Sequence, residues 1–250
     1  MTEPHAKRLR VFAGPNGSGK TTLAQKLSKE GKFRLKVFVN ADEIEKELTE
    51  KGSLSLAKYR LKTLSTKQLV TFIEKNGMSA FKTNTRYTEK SFEIKNRQLF
   101  FYHTVNSYIA SDIAAFLRNF LLEEGISFAF ETVFSHESKL EFMKKAKQMG
   151  YKVYLYFLAT DDPEININRV DFRVEKNGHS VPAEKIRERY YRSLNLLLDA
   201  VKVSFRSFLF DNSGRYLELV AKVDFGKKVE VSDYDKQIPG WFYYYFYKRI

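Results

Sequence analysis

Residues 14–22, which read GPNGSGKTT, place three glycines ahead of a lysine and two threonines. Residues 14–21 match the pattern G-x-x-x-x-G-K-[ST] letter for letter. In such a loop, glycines let backbone N–H groups point inward around a phosphate, in conformations that a Cβ would obstruct. We therefore predict a nucleoside triphosphate site. Its loop consists of Gly14, Pro15, Asn16, Gly17, Ser18, Gly19, Lys20, Thr21 and Thr22.

Two side chains of this loop have predicted roles of their own. Lys20 is expected to reach the β- and γ-phosphates, and the Thr21 hydroxyl can ligate Mg²⁺. An apolar run precedes the loop and a helix-like run follows it, so a helix N-terminus would add partial positive charge. The alternative is a glycine loop that holds no ligand. ATP and Mg²⁺ are the expected cofactors.

A carboxylate follows the second predicted strand, residues 35–39. This residue is Asp42, in the stretch VNADEI, and we expect it at the same carboxyl edge of the sheet as the glycine loop. There it could accept a hydroxyl proton while a phosphoryl group leaves ATP. The alternative is that Asp42 caps the N-terminus of the next helix, a position that suits aspartate equally well.

A second carboxylate, Glu131, lies in the very apolar third predicted strand, residues 126–134. A carboxylate that closes a buried strand would serve as a magnesium contact of the Walker-B kind or as an acceptor for a substrate hydroxyl. The alternative is a solvated strand end. The flanking phenylalanines favour a functional role.

Arginines are concentrated around the sequence Gly-His-x-x-Pro, at residues 178–182. They are Arg169, Arg173, Arg187, Arg189 and Arg192. Arg169 and Arg173, with the loop that follows, could cover the phosphates as a lid and supply positive charge. Like charges at this spacing repel by about 0.2–0.5 kcal/mol, so a shared anion would be a reason for the pair. The alternative is a plain basic helix surface. His179 would either contact a phosphate or stabilise the turn.

Five predicted strands must position these residues. They cover 9–13, 35–39, 126–134, 151–160 and 203–213 and alternate with helical segments, which indicates an α/β fold with a parallel sheet flanked by helices. Residues 51–105 interrupt the alternation, and we predict that they form a helical insertion on the acceptor side of a single domain, 1–250. For residues 216–250 we predict a hairpin followed by an aromatic segment, which packs onto the body.

Composition limits the classes of function. The chain has 250 residues and no cysteine, which excludes disulfides, thiolate nucleophiles and cysteine zinc sites. Its formal charge of +13 would attract nucleic acid, phosphorylated metabolites or an acidic protein, or would simply reflect a basic surface. No apolar stretch approaches about 20 residues and no secretory signal is evident, so we expect no membrane span and a cytoplasmic location.

Several motifs occur together in a characteristic order: GPNGSGKTT, NADEI, FAFETVFS, GYKVYLYFL, the arginine-rich stretch with GHSVP and ERYYRSL, and FDNS. In this order they resemble the zeta-toxin-like P-loop kinases, the UDP-N-acetylglucosamine kinase-like family, over nearly the whole chain apart from residues 51–105. The resemblance implies a P-loop kinase fold and ATP-dependent phosphorylation of a small-molecule hydroxyl. In the best-known zeta toxins that hydroxyl belongs to the sugar of UDP-N-acetylglucosamine, and an antitoxin protein is the implied partner.

The same resemblance implies roles by motif position. Lys20 would be the P-loop lysine, Asp42 the general base for the acceptor hydroxyl, and Arg169 a lid arginine. The implied substrate contacts are Glu131 and Thr132, and Asn212 of FDNS is an implied nucleotide contact. His179 stands near the place where a second lid arginine is expected, and we predict that it contacts the substrate.

Two other functions fit the same residues. A nucleic-acid 5′-end kinase shares the lid-and-aspartate layout, would account for the charge of +13, and predicts a steep salt dependence of binding. A nucleotide-binding interaction module, such as a toxin held by an antitoxin through its phosphate loop, would not turn over ATP in the presence of an acceptor.

Overall fold

The computed structural model describes residues 6–31, 36–61, 63–175, 180–232 and 238–250. The chain divides into two compact units, of which the first comprises residues 1–35 and 131–250 and the second residues 36–130. The second unit therefore contains more of the chain than the insertion predicted at 51–105. The predicted substrate contact His179 lies outside the described residues.

The first unit is a sheet with helices packed against it. Its strands are β1 (Arg8–Ala13), β7 (Lys152–Ala159), β8 (Arg206–Asp211), β9 (Glu218–Asp224) and β10 (Lys228–Val231). Its helices are α1 (Lys20–Lys29), α6 (Ser138–Gln148), α7 (Pro163–Val174), α8 (Ala183–Asn195), α9 (Leu197–Val203) and α10 (Gly240–Tyr245).

In the sheet of the first unit, the strand order is β10-β9-β8-β7-β1. Strands β1, β7 and β8 are parallel, whereas β9 and β10 form an antiparallel hairpin on β8. Strand β7 is buried over most of its length, as expected for a central parallel strand with helices on both faces. The register places Phe12, Tyr156 and Phe208 in a row, and their rings stack with centroids 4.8 and 5.1 Å apart.

The second unit contains the helices α2 (Ala41–Lys51), α3 (Thr66–Asn76), α4 (Ser79–Thr83) and α5 (Ser107–Glu123). Its strands are β2 (Phe38–Val39), β3 (Ser53–Ser55), β4 (Phe92–Lys95) and β5 (Gln98–Phe101), and β6 (Phe128–Thr132) runs across the boundary between the units. Strands β2 and β6 pair in parallel, with Val39 opposite Phe130. The apolar helix α5 buries most of its residues.

The predicted α/β class with a mostly parallel sheet is confirmed. The five predicted strands correspond to β1, β2, β6, β7 and β8, all of which pair in parallel. Within the described ranges, no helix has the length and apolar character needed to cross a membrane.

The insertion predicted as helical at 51–105 is mixed, because it contains an antiparallel sheet of order β3-β5-β4 beside α3 and α4. The physical reason is the segment SFEIKNRQLFF, in which apolar residues recur at every second position on either side of Asn96 and Arg97. Both turn residues have left-handed φ angles, +51° and +59°, as a tight hairpin turn requires.

The aromatic segment at the end of the chain is anchored by Trp241. The Trp241 indole Nε1–H donates to Asp211 Oδ1 at 2.8 Å, and the Trp241 backbone N–H donates to Asp161 Oδ1 at 3.4 Å. Phe242 and Phe246 are fully buried. The exposed aromatics of this segment are Tyr243, Tyr244 and Tyr247.

Candidate functional site

The glycine loop joins β1 to α1, and all three of its glycines are required by close approach, Gly17 and Gly19 beside two asparagines. Gly17 has a φ of +71°, and a Cβ there would lie 2.6 Å from Asn166 O. Gly19 has a φ of +93°, and a Cβ there would lie 2.7 Å from Asn212 Nδ2. Any other residue at either position would combine a left-handed backbone with a steric clash.

Two asparagines hold the loop's carbonyl groups. Asn166 Nδ2 of α7 donates to Asn16 O at 2.6 Å, and Asn212 Nδ2 after β8 donates to Ser18 O at 2.9 Å. In a trans peptide the C=O and the next N–H point in opposite directions. Because these carbonyls face the asparagines, the N–H groups of Gly17 and Gly19 point to the other side. This arrangement presents a row of donors to an anion.

Helix α1 begins directly after the loop, with Gly19 as its N-cap residue and no capping side chain among the described residues. The first N–H groups of a helix have no intrahelical acceptor, and the helix dipole adds partial positive charge there. The end of the helix therefore favours a phosphate at the same place as the loop.

Lys20, Thr21 and Glu131 meet at this helix end. Lys20 is buried, its Nζ donates to Pro15 O at 2.7 Å, and it lies 3.9 Å from Glu131 Oε1. The Thr21 hydroxyl donates to Glu131 Oε2 at 2.7 Å. Both oxygens of the Glu131 carboxylate thus face the loop. Because the Thr21 hydroxyl donates its proton to Glu131, the lone pairs of the Thr21 oxygen remain available to coordinate a cation.

These oxygens fit a magnesium ion that obtains most of its ligands elsewhere. Mg²⁺ is usually held by one or two protein oxygens together with phosphates and water. Thr21 Oγ1 and the Glu131 carboxylate are two such oxygens beside the phosphate loop. In the part of the chain that the structure describes, no group of three or more His, Asp or Glu residues could hold a metal by itself.

Thr132, the other implied substrate contact in β6, has a local structural role. Its buried Oγ1 accepts a hydrogen bond from Phe134 N at 3.0 Å. Phe134 is buried with a φ of +60°, an unfavourable conformation for a bulky residue. The Thr132 hydroxyl therefore stabilises the turn that ends the strand, and its contact with a substrate stays a prediction.

Asp42 lies in the first turn of α2, in the second unit. The N-cap is Asn40, whose Oδ1 accepts from Asp42 N at 2.9 Å, so the alternative of Asp42 as the cap is wrong. The Asp42 side chain is exposed, and among the described residues its carboxylate has no hydrogen bond or ion pair. It is therefore available to a ligand.

The two predicted lid arginines lie one turn apart on α7. This helix packs through Ile167 and Val170 against Ile186 of α8. Arg169 is half-buried, and its Nη1 is buried with no hydrogen-bond partner among the described residues. A buried donor of this kind costs free energy until an acceptor satisfies it. Arg173 is exposed.

A chain of buried polar groups behind the loop was not identified from the sequence. The Tyr190 hydroxyl donates to Thr160 O at 2.5 Å, the Thr160 hydroxyl donates to Asn166 Oδ1, and Asn166 holds the loop at Asn16. Burial raises the pKa of Tyr190 above its ordinary range, so the hydroxyl remains a donor. The sequence does contain a signal, because Asn166 falls beside Ile167 and Val170 on the buried stripe of α7.

The zeta toxin family model matches residues 102–217 of this chain. The predicted resemblance to zeta toxins is confirmed. The matched stretch contains Glu131, Thr132, Arg169 and Asn212, whereas the phosphate loop and Asp42 precede it.

A protein of Haemophilus influenzae, described only as uncharacterized, is 32% identical over 74 residues. The match covers 30% of this chain and 53% of that protein, so the chain spans about half the length of this relative.

Two groups of solved structures share the fold. The AvrRxo1-ORF1:AvrRxo1-ORF2 complex, solved with sulphate ions and also with ATP, has a TM-score of 0.55 at 16% identity, covering 91% of this chain and 61% of that one. The structure from the PezAT chromosomal toxin-antitoxin system of Streptococcus pneumoniae has a TM-score of 0.51 at 16% identity, covering 92% and 76%. At this identity the likeness supports the fold alone.

Proposed function

We propose that this protein is an ATP-dependent phosphotransferase, a kinase that moves the γ-phosphoryl group of ATP to a hydroxyl of a small molecule. The observation that carries the proposal is the meeting of Lys20, Thr21 and Glu131 at the end of a glycine loop held by two asparagines. The match to the zeta toxin model and a structural neighbour prepared with ATP support it.

On the nucleotide side, the loop N–H groups would surround the β-phosphate and Lys20 would reach the β- and γ-phosphates. Asn212 would contribute by holding the loop. Mg²⁺, when bound, would neutralise charge on the phosphates. We assign Thr21 and Glu131 to the magnesium side of the site, because both Glu131 oxygens face the loop.

On the acceptor side, we assign Asp42 as the general base. Its carboxylate is exposed and has no partner among the described residues, so it can accept a hydroxyl proton without giving up an existing hydrogen bond. Thr132 and His179 remain proposed substrate contacts, on the resemblance alone.

Arg169 is proposed to meet the transferring phosphoryl group. Its buried Nη1 lacks a partner among the described residues, and a phosphate oxygen is the strongest acceptor a guanidinium can find. Arg173, one turn further along α7, would add a second positive charge at the exposed end of that helix.

The acceptor proposed first is a nucleotide sugar of the UDP-N-acetylglucosamine type, on the resemblance to zeta toxins. A protein antitoxin is proposed as partner, because the AvrRxo1 and PezAT neighbours come from two-protein and toxin-antitoxin systems. The proposed place of action is the cytoplasm.

The test is phosphoryl transfer from labelled ATP to a panel of UDP-sugars, nucleosides, and RNA or DNA ends. Asp42→Asn should keep the affinity for ATP and lose about 10²- to 10⁴-fold in transfer, because the general base is removed. Lys20→Ala should lose both. The control Glu43→Gln neutralises the neighbouring exposed carboxylate and should transfer at the normal rate.

Each variant tests a different part of the proposed site. If Asp42→Asn transfers normally, Asp42 is not the base. If Lys20→Ala binds ATP as tightly as the parent protein, the loop is not the phosphate site. ATP turnover that no member of the panel stimulates would contradict transfer to these acceptors.

A further inference from the structure

The net positive charge of the chain is concentrated in residues 51–105, chiefly because acidic residues are few there. This stretch contains eleven Lys and Arg residues against three Glu and no Asp, so it carries eight of the thirteen excess positive charges. Phosphate binding at the loop in the first unit does not require such a charge. Such a surplus would favour an anionic ligand at the insertion.

The insertion's sheet, β3-β5-β4, has one buried and one open face, and β5 is its central strand. On the buried face lie Leu99 and Phe101 of β5 and Phe92 of β4, and the ring centroids of Phe92 and Phe101 are 5.0 Å apart. Alternation along the strand places Phe100 and Tyr102 on the opposite face. Phe100 is half-buried, and the side chain of Tyr102 is 57% exposed.

The pairing continues through Tyr102, whose N–H donates to Ser91 O at 3.0 Å. The Tyr102 hydroxyl donates to Glu93 Oε2 at 2.5 Å. The hydrogen bond therefore restrains the hydroxyl end of the ring, while more than half of the residue's surface stays exposed. Two residues apart on one strand, Phe100 and Tyr102 are about 7 Å apart along the chain.

Exposed cations lie at both ends of this face. Lys95 is the last residue of β4, Arg97 belongs to the turn that follows it, and Lys90 precedes β4. Among the residues that the structure describes, none of these three forms an ion pair. By contrast, Lys58 of the same insertion is paired with Glu47 of α2.

We propose that this surface, which we call the β5 platform (Phe100, Tyr102, Lys90, Lys95 and Arg97), binds single-stranded nucleic acid. Aromatic side chains on the open face of a sheet, two residues apart on a central strand, stack successive unpaired bases. Cations at the two ends would meet the phosphates on either side. An acidic protein would use the cations but leave the aromatic faces without a function.

The proposal goes beyond phosphotransfer and does not depend on it. Binding at the β5 platform requires neither ATP nor the glycine loop. Binding and phosphoryl transfer are measured separately.

The experiment measures fluorescence anisotropy of labelled oligouridylate and oligothymidylate of about 15 nucleotides with the full chain, without ATP. Tyr102→Ala should weaken binding about tenfold, because one base no longer has a ring to stack on. Phe100→Leu keeps an apolar side chain and removes the ring, and should weaken binding in the same direction. Comparison of the two oligonucleotides distinguishes RNA from DNA.

A second pair of variants separates charge from stacking. Lys95→Gln with Arg97→Gln should lower the slope of log Kd against log salt by about 1.4, or about 0.7 for each phosphate that is no longer neutralised. The matched controls are Lys147→Gln with Lys227→Gln, two exposed lysines of the first unit, and Tyr216→Ala, an exposed tyrosine. The controls should bind as the parent protein does.

Three results would overturn the proposal. The first is no binding of either oligonucleotide at low salt. The second is unchanged binding by Tyr102→Ala and Phe100→Leu when both melt at the parent temperature. The third is equal binding of duplex, or equal competition by polyglutamate of the same charge, since either would show attraction to any polyanion without base stacking.

Discussion

The Thr21 hydroxyl donates a 2.7 Å hydrogen bond to Glu131 Oε2, joining two residues that lie 110 positions apart in the chain. Lys20 Nζ lies 3.9 Å from the other oxygen of the same carboxylate. The carboxylate thus orients the Thr21 hydroxyl and lies within ion-pair distance of Lys20, and both of these loop side chains would face a bound nucleotide. It also adds negative charge where a phosphate would sit, and a bound cation would relieve that repulsion.

Glu131→Gln should therefore change the magnesium dependence of nucleotide binding. The amide oxygen can still accept from Thr21, so the fold should be kept, whereas the negative charge is removed. We expect ATP affinity without Mg²⁺ to be unchanged or higher, and the gain on adding Mg²⁺ to fall about tenfold, on the order of one charge-assisted interaction. Titration calorimetry with and without Mg²⁺ measures both, and an undiminished magnesium effect would contradict the assignment.

Gly17→Ala should weaken ATP binding by more than the cost of a left-handed φ angle, because the new side chain would also clash. The new Cβ would meet Asn166 O at 2.6 Å, so α7 or the loop must move. We expect at least a tenfold loss of ATP affinity together with a lower melting temperature. The matched control is Gly150→Ala, which has a similar φ of +82° and no atom within 4 Å of the new Cβ.

Gly150→Ala should show only the left-handed conformational cost, about 1–2 kcal/mol, with normal ATP affinity. If both alanine variants bound ATP equally well, contact with α7 would not control the loop. Isothermal calorimetry and thermal melting on the two proteins make the comparison.

The loop could be predicted from the sequence because its chemistry is local. Consecutive residues supply the glycines, Lys20 and Thr21, and apolar periodicity predicts the strand and helix on either side. The partners of the loop could not be predicted in this way. Asn166 and Asn212 reach it across the first unit, and a buried asparagine in a helix is identified only when its neighbours in space are known.

The sheet of the insertion cannot be predicted from the sequence for a different reason. Strands β3, β4 and β5 have only three or four residues each, too few for periodicity to distinguish them from loops. The alternation around Asn96 and Arg97 was the available signal, but neither turn residue is glycine. Antiparallel pairing of β5 with β3, which lies far earlier in the chain, completes the sheet and cannot be predicted from local sequence.

The two asparagines that hold the loop, Asn166 and Asn212, should have coupled effects on ATP binding. Asn166→Ala and Asn212→Ala each leave a loop carbonyl without its donor, at a cost of about 1–3 kcal/mol. Each should raise the Kd for ATP about tenfold, because the N–H groups of Gly17 and Gly19 are no longer held inward. In a double-mutant cycle the two effects should be less than additive, since one released carbonyl already disorders the row of donors.

Two results of the double-mutant cycle would contradict this prediction. Strict additivity in ATP binding would mean that the two asparagines hold independent parts of the loop. Unchanged ATP affinity in both single variants would mean that the loop keeps its conformation by its own backbone.

The hydrogen bond between Trp241 and Asp211 links α10 to the end of β8. Asp211 is buried, accepts from the indole at 2.8 Å and from the Ser213 hydroxyl at 2.8 Å, and directly precedes Asn212. Trp241→Phe keeps most of the ring but removes the donor, and we expect a decrease of about 1–3 kcal/mol in the free energy of unfolding. The control Tyr244→Phe removes an exposed hydroxyl and should be neutral.

Because Asp211 and Asn212 are adjacent, the same Trp241→Phe substitution should also raise the Kd for ATP severalfold. Denaturant unfolding and ATP titration of both variants test the two effects separately. A loss of stability with unchanged ATP affinity would show that α10 supports the sheet without positioning Asn212. A loss of both stability and ATP affinity would show that the aromatic segment helps to support the nucleotide site. The indole donates to Asp211, Asp211 is joined by one peptide bond to Asn212, and Asn212 donates to Ser18 O of the loop.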